Sequence, residues 1–107
     1  MNVLFIGNAI IDVISHLDEI DQVDPNFIGK MQIVSQNEIN NKIKLLSNKK
    51  IVPGGSANNS ACGLSMLEEE VCFIGKIGND NYGKIYLERN KEHHVETGLM
   101  TVDNKST

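Results

Sequence analysis

Short runs of apolar, often β-branched residues recur along the chain, and stretches rich in polar residues and glycine separate them. Runs of this length between turn residues are typical of buried strands. Residues 18–29 are acidic, contain a proline and predict a surface loop. The apolar runs predict strands or extended pieces at 3–6, 10–17, 31–34, 51–52, 71–74, 95–97 and 100–102.

Three other segments repeat their apolar residues at helical spacing. The first begins at Ser35, which forms a predicted capping box with Glu38. The second has Ser56 as its predicted cap, and the third runs from about 81 to about 92 behind Asp80 as N-cap. Because helices alternate with strands, we predict an α/β fold with a largely parallel sheet. The predicted core face of the second helix consists of Ala57, Ala61, Leu64 and Leu67.

Composition narrows the class of protein further. The chain has 107 residues, 40% of them hydrophobic and 22% charged, which is typical of one small soluble domain. A net charge of −4 argues against a nucleic-acid partner, which requires clustered lysine and arginine. The N-terminus has neither a signal-peptide nor a membrane-span pattern, so we expect no membrane association. Only Cys62 and Cys72 are present, and they favour a reduced cytoplasmic setting without a disulfide or zinc site.

The first candidate for chemistry follows the first strand, where Asn8 and Asp12 are four residues apart. A carboxylate on a buried strand is costly unless a ligand or the protein satisfies it. Two neighbouring sugar hydroxyls would do so, because a carboxylate can accept a hydrogen bond from each. The same two residues are equally at home in a turn and on a surface, so both interpretations stay open.

The second candidate is the turn that contains Gly54, Gly55 and Ser56. Two glycines let the backbone approach a ligand closely, and a helix that starts here offers free N–H donors. Asn59, one turn into the helix, carries an amide toward the same place. A plain loop and helix cap would have the same sequence, and the residues alone do not separate the two.

The third candidate is 78–84, which has the Gly-x4-Gly-Lys spacing of a phosphate-binding loop. Ile85 stands where that loop needs a hydroxyl for magnesium, and Asp80 would place a negative charge among the phosphates. These departures favour a strand-to-helix turn, and the phosphate loop remains an alternative.

In order along the chain, the motifs Gly7–Asp12, Gly54–Asn59 and Ile74–Gly83 resemble the N-terminal signatures of the ribokinase-like PfkB family. The residues of these motifs are most similar to those of the adenosine kinase-like branch. The resemblance implies a ribokinase-like Rossmann-type sandwich with a small β lid, of which residues 1–107 form the N-terminal part. It places the lid at approximately 12–34 and 99–107.

The resemblance also implies transfer of the γ-phosphoryl group of ATP, with Mg²⁺, to a hydroxyl of adenosine or a sugar. In that family the position of Asp12 holds substrate hydroxyls, and that of Asn8 is a neighbouring contact. The loop residues Gly54, Gly55 and Ser56 would lie against the substrate, and Asn59 would supply a pocket amide.

The family's catalytic Gly-Ala-Gly-Asp stretch is missing from the sequence. We therefore predict no catalytic residue and no kinase activity for this chain alone. Two other classes remain as alternatives, a phosphate-loop nucleotide-binding module at 78–84 and a non-catalytic interaction domain. An exposed edge on the lid strands would also allow a homodimer.

Overall fold

The computed structural model describes residues 2–16, 25, 28–98, 100–105 and 107. Helices and strands alternate over most of this part of the chain, as the pattern of apolar residues predicts. The helices are α1 (Gln36–Leu45), α2 (Ser56–Ser65) and α3 (Asn81–Glu92). The strands are β1 (Asn2–Ile6), β2 (Ile10–Ile14), β3 (Lys50–Gly54), β4 (Glu70–Ile74), β5 (Lys76–Gly78), β6 (Val95–Glu96) and β7 (Thr101–Asp103).

Parallel pairing dominates the sheets and confirms the predicted α/β class. Strand β4 lies between β1 and β6 in a three-stranded sheet, and it is parallel to both. The pairing with β1 runs in register from Asn2 opposite Glu70 to Ile6 opposite Ile74. Strands β5 and β7 form a second parallel pair, and β2 pairs with β3. Parallel neighbours need crossover connections, and helices α2 and α3 lie within those crossovers.

The core lies where α2 and α3 pack against the sheet formed by β1, β4 and β6. At its centre the rings of Phe73 and Tyr86 have centroids 6.0 Å apart, and both side chains are fully buried. Each large apolar side chain buried in this way stabilises the fold by about 1.5–3 kcal/mol. The buried apolar cluster consists of Ala61, Val71, Phe73, Ile77, Tyr86 and Val95.

The chain divides into two compact units, of which the first comprises Met1–Asp12 and Ile51–Thr107 and contains this core. The second unit is Val13–Lys50 and contains α1, which has no buried residue. The predicted capping box is confirmed, because Ser35 Oγ accepts from the Glu38 N–H and Glu38 Oε2 accepts from the Ser35 N–H.

The predicted strand at 31–34 is wrong, because this segment has no regular secondary structure. The side chains of Met31 and Ile33 are 97% and 99% exposed. Their apolar, β-branched pattern favours an extended backbone, but a strand also needs a neighbour, and no strand pairs with them among the described residues. The predicted lid segments include residues 17–24, 26, 27, 99 and 106, which lie outside the described residues, as does most of the predicted loop at 18–29.

Three finer predictions also need correction. Gly55 rather than Ser56 caps α2, and it contributes no side-chain bond, so Ser56 is the first helical residue. Leu67 lies beyond the end of α2 at Ser65 and is 73% exposed, so it does not extend the core face. Residues 76–78, for which the sequence predicted no strand, form β5, because the backbone after β4 finds a parallel partner in β7. No helix in the described part of the chain is long and apolar enough to cross a bilayer.

Tyr86 generates a prediction for alkaline pH. Its phenol is fully buried, and the side-chain amide of Asn90 lies beside its hydroxyl. Burial raises the pKa of Tyr86, and the contact with Asn90 offsets only part of that rise. Stability from a group whose pKa is raised by folding is present below its unfolded pKa, about 10, and is lost as pH rises above it.

We therefore expect the free energy of unfolding to fall above about pH 10, and Tyr86→Phe to reduce this fall. Urea unfolding of the two proteins between pH 8 and 11 measures the difference. Tyr82→Phe is the control, since it leaves the buried phenol in place and should retain the fall. An identical alkaline decline in wild type and Tyr86→Phe would contradict the assignment.

Candidate functional site

The carboxylate of Asp12 lies directly against the backbone of Gly54. Asp12 is on β2 and Gly54 ends β3, and the two strands are neighbours in the same sheet. A Cβ atom placed on Gly54 would lie 3.0 Å from Asp12 Cγ and closer still to Oδ2. Gly54 is buried, whereas Asp12 is exposed to solvent. Only a glycine at 54 leaves the carboxylate in this position.

The second glycine brings the loop after β1 against the start of α2. Gly55 has φ +93°, a conformation that side-chain-bearing residues rarely adopt. A Cβ on Gly55 would lie 2.8 Å from the main-chain oxygen of Asn8, and one on Gly7 would lie 2.7 Å from Ala57 Cβ. The main chains of both glycines therefore lie directly against the other segment.

These contacts bring together four of the six predicted site residues: Asn8, Asp12, Gly54 and Gly55. Ser56 follows directly as the exposed first residue of α2. The N–H groups of the first turn of a helix have no partner within the helix. A solvent-exposed carboxylate thus lies next to a glycine turn that opens into a helix N-terminus, and this arrangement can accept hydrogen bonds from hydroxyls and donate to an oxygen.

Asn59 lies elsewhere on the helix surface. It is exposed and lines a cavity between α2 and α3 together with the preceding Asn58. Asn58 is buried, with 2% of its surface exposed. The sequence had predicted only its neighbour Asn59 as a site residue. The available signal was the pair of asparagines in a helix of small residues, because asparagine is a poor helix former. Asn90, on α3, carried no such signal and is equally buried.

The helix N-terminus that a phosphate loop would use, that of α3, is already occupied by a side chain of the protein. Asp80 caps α3, and its Oδ1 accepts from the Gly83 N–H at 2.8 Å, which confirms the predicted N-cap. The same carboxylate accepts from the Thr107 N–H and hydroxyl, at 2.9 and 2.6 Å, and Thr107 Oγ1 accepts from the Gly78 N–H at 2.7 Å. A protein carboxylate therefore fills the place that a phosphate would need.

We expect Asp80→Ala to destabilise the chain by about 1–2 kcal/mol, the usual effect of losing an N-cap. Asp80→Asn keeps an acceptor oxygen for Gly83 and should lose less. Urea unfolding compares the two variants. ATP binding by this chain that disappears in Lys84→Ala would contradict the cap and support the phosphate loop.

The glycines of the site should respond to alanine in different ways. At Gly54 the new methyl group meets the end of the rotatable Asp12 side chain, so Gly54→Ala should displace that carboxylate at a cost below about 1 kcal/mol. At Gly55, whose φ is positive, the methyl group meets the main-chain oxygen of Asn8. We expect Gly55→Ala to lower the free energy of unfolding by about 1–3 kcal/mol.

Gly63 is the matched control, because it lies within α2 and a Cβ there has no neighbour within 4 Å. Gly63→Ala should stabilise the chain by about 0.5–1 kcal/mol through helix propensity. Urea unfolding gives the order of the three variants. A Gly55→Ala protein as stable as Gly54→Ala would show that the turn is not constrained as described.

Known proteins with similar sequences and structures are small-molecule kinases. The profile of the pfkB family carbohydrate kinases matches residues 2–107. Ribokinase of Bacillus subtilis (strain 168) is 39% identical over 49 residues, which are 46% of this chain and 17% of the relative.

Two solved structures extend the likeness over almost all of the chain. Adenosine kinase from Sinorhizobium meliloti superposes with a TM-score of 0.80 at 27% identity, covering 99% of this chain and 33% of that one. Fructokinase from Halothermothrix orenii superposes with a TM-score of 0.63 at 22% identity, covering 98% and 30%, and this similarity concerns the fold. The chain therefore spans about a third of the length of these solved relatives.

The parallel α/β fold is the ribokinase-like fold of these relatives, and the profile match extends over nearly the whole sequence. On this evidence the chain belongs to the pfkB family of carbohydrate kinases.

Proposed function

We propose that this chain is the substrate-binding portion of a kinase that transfers the γ-phosphoryl group of ATP to a hydroxyl of adenosine or a sugar. The observation that carries the proposal is the Asp12 carboxylate lying against Gly54 and open to solvent. A carboxylate held at a glycine turn can accept from two vicinal hydroxyls while the backbone comes close to the ligand.

The relatives support this choice of acceptor class. The solved structure with a TM-score of 0.80 and 27% identity is an adenosine kinase, and the 39% identical segment belongs to a ribokinase. Adenosine and ribose share a ribose ring with neighbouring hydroxyls, which suits a single carboxylate. We propose this hydroxyl pair as the group that Asp12 binds.

ATP and magnesium belong to the proposal through the family. Among the described residues, no group of three or more histidine, cysteine or acidic side chains could hold a metal ion. We therefore assign neither the metal nor the nucleotide to side chains of this chain. Phosphoryl transfer depends on positioning and charge stabilisation, and the residues around Asp12 and Gly54 only position an acceptor.

Binding of adenosine, ribose and fructose to the 107-residue chain tests the proposal by isothermal titration calorimetry. Asp12→Asn keeps the shape of the side chain but removes its charge. Since charge-assisted hydrogen bonds contribute about 1.5–3 kcal/mol each, we expect affinity to fall roughly 10- to 150-fold for each bond lost. Asp103→Asn is the control, because this acid pairs with Lys76 at 3.0 Å on a different pair of strands.

The same proteins should show no ATP-dependent phosphorylation of the three acceptors when the chain is assayed alone. Equal affinity of Asp12→Asn and wild type for every acceptor would remove the proposed role of Asp12. Phosphorylation by the chain alone would show instead that catalytic groups lie within these residues.

A further inference from the structure

The sheet formed by β1, β4 and β6 has two faces, and helices α2 and α3 pack against one of them. Side chains alternate between the two faces along each strand. Val71 and Phe73 of β4 belong to the buried core under these helices, and Phe5 of β1 packs against it. The residues that alternate with them form what we call the second face, which consists of Asn2, Leu4, Ile6, Glu70, Cys72, Ile74 and Glu96.

The centre of the second face is apolar. Leu4 and Ile6 are 52% and 73% exposed, and they pair in register with Cys72 and Ile74. A strand covered on one face alternates apolar and polar residues, whereas strands of a parallel sheet covered on both faces are nearly continuous apolar runs. Strand β1 reads Val-Leu-Phe-Ile after its first residue, and β4 reads Val-Cys-Phe-Ile. Both strands therefore have the sequence of strands that are covered on two faces.

The end of the second face where the strands begin is acidic. Glu70 is the first residue of β4, and Glu96 of β6 lies opposite Cys72. Both acids line a depression of about 260 Å³ that includes Cys72. Glu96 Oε1 accepts from the Gly98 N–H at 2.6 Å, and neither carboxylate has an ion-pair partner among the described residues. An occupant of the second face thus meets apolar side chains at the centre and two carboxylates at one end.

The direction of the strands determines which helix fits this pattern. A helix that connects parallel strands runs antiparallel to them, because it returns the chain to the end where the next strand begins. On the second face, such a helix ends above Glu70 and Glu96. The carbonyl groups at a helix C-terminus carry partial negative charge, which the two carboxylates would repel. Lysine or arginine in the last turn offsets this repulsion and pairs with the carboxylates.

We infer that the second face binds an amphipathic helix that runs antiparallel to β1 and β4. Its apolar stripe lies on the centre of the second face, and lysine or arginine in its last turn lies above Glu70 and Glu96. About ten residues are enough, since a helix of that length and a five-residue strand are both roughly 15–17 Å long.

The partner is a polypeptide segment from the part of a pfkB-type fold that this chain does not cover. The basis for this choice is the solved Sinorhizobium meliloti adenosine kinase, of which this chain covers 33%. The inference does not rest on the proposed acceptor site, because neither Asp12 nor Gly54 lies on the second face.

Cys72 lies within the second face and allows a test by disulfide tethering. Cys62→Ser leaves Cys72 as the only thiol of the chain. The probes are a pair of amphipathic peptides of about 14 residues, matched in helicity by circular dichroism, with a cysteine at the centre of the apolar stripe. Both contain the same lysines, which lie in the last turn of the first peptide and in the first turn of the second. In a glutathione redox buffer, we expect the first peptide to form the mixed disulfide with an equilibrium constant at least roughly tenfold larger.

The acidic end is tested on the protein side by neutralising it. Glu70→Gln combined with Glu96→Gln should remove the preference for the first peptide, because no carboxylate then lies above its last turn. Glu88→Gln combined with Glu92→Gln is the matched control, since it removes the same charge from α3 and should retain the preference. Mass spectrometry gives the fraction of mixed disulfide in each protein.

The apolar centre is tested with two exposed residues. Ile6→Asn should lower the equilibrium constant for the first peptide at least roughly tenfold. Leu67→Asn is the matched control, because Leu67 is also 73% exposed but lies outside the second face, and it should leave that constant unchanged. Both side chains are largely exposed, so both variants should fold.

Co-expression with the part of the Sinorhizobium meliloti adenosine kinase outside the matched region tests the choice of partner. We expect that part to copurify with the chain and with its Leu67→Asn variant, but not with Ile6→Asn. The absence of copurification, or equal mixed-disulfide formation by the two peptides, would overturn the inference. So would a dimer of the chain alone that Ile6→Asn abolishes in sedimentation velocity, because it would assign the second face to a second copy.

Discussion

The close approach of the Asp12 carboxylate to Gly54 is the constraint on which the proposed function of this protein depends. A charged oxygen beside a backbone with no side chain creates a surface where hydroxyl groups can be held at hydrogen-bonding distance. The positive φ of Gly55 turns the chain directly into α2. The N–H groups of the first turn of α2 therefore come immediately after the glycines, beside which the carboxylate lies. Both glycines are needed for different reasons, the first for space and the second for conformation.

The rest of the first unit supports this arrangement. Strand β4 pairs with β1, and the Gly7 N–H donates to the Ile74 main-chain oxygen at 3.1 Å, so the pairing continues into the loop that carries Asn8. On the other side, Ala61 of α2 packs into the buried cluster around Phe73. The core therefore fixes the two segments that meet at Gly55, while Asp12 itself stays exposed to solvent.

Local sequence predicted much of this fold, because strands and caps depend on neighbouring residues. The β-branched runs at β1 and β4 and the Asp80 cap are examples of such local signals. Strand β5 was missed because three residues carry little pattern and gain their structure from β7. The prediction of a strand at 31–34 was wrong for the opposite reason. The pattern of this segment suits a strand, but no strand pairs with it among the described residues.

The candidate site was only partly predictable, because it depends on contacts between distant residues. Asp12 and Gly54 are far apart in the sequence, and only the ordered set of motifs, not any single one, indicated that they meet. The buried amides of Asn58 and Asn90 depend on the packing of two helices, which no local spacing encodes. The homodimer and the cytoplasmic location remain predictions from sequence.

A crystal structure of the chain with adenosine tests the central claim most directly. We predict Asp12 carboxylate oxygens about 2.5–3.0 Å from ribose hydroxyls, with the sugar lying on Gly54 and Gly55. Ribose bound elsewhere, with the Asp12 side chain turned to water, would contradict the claim.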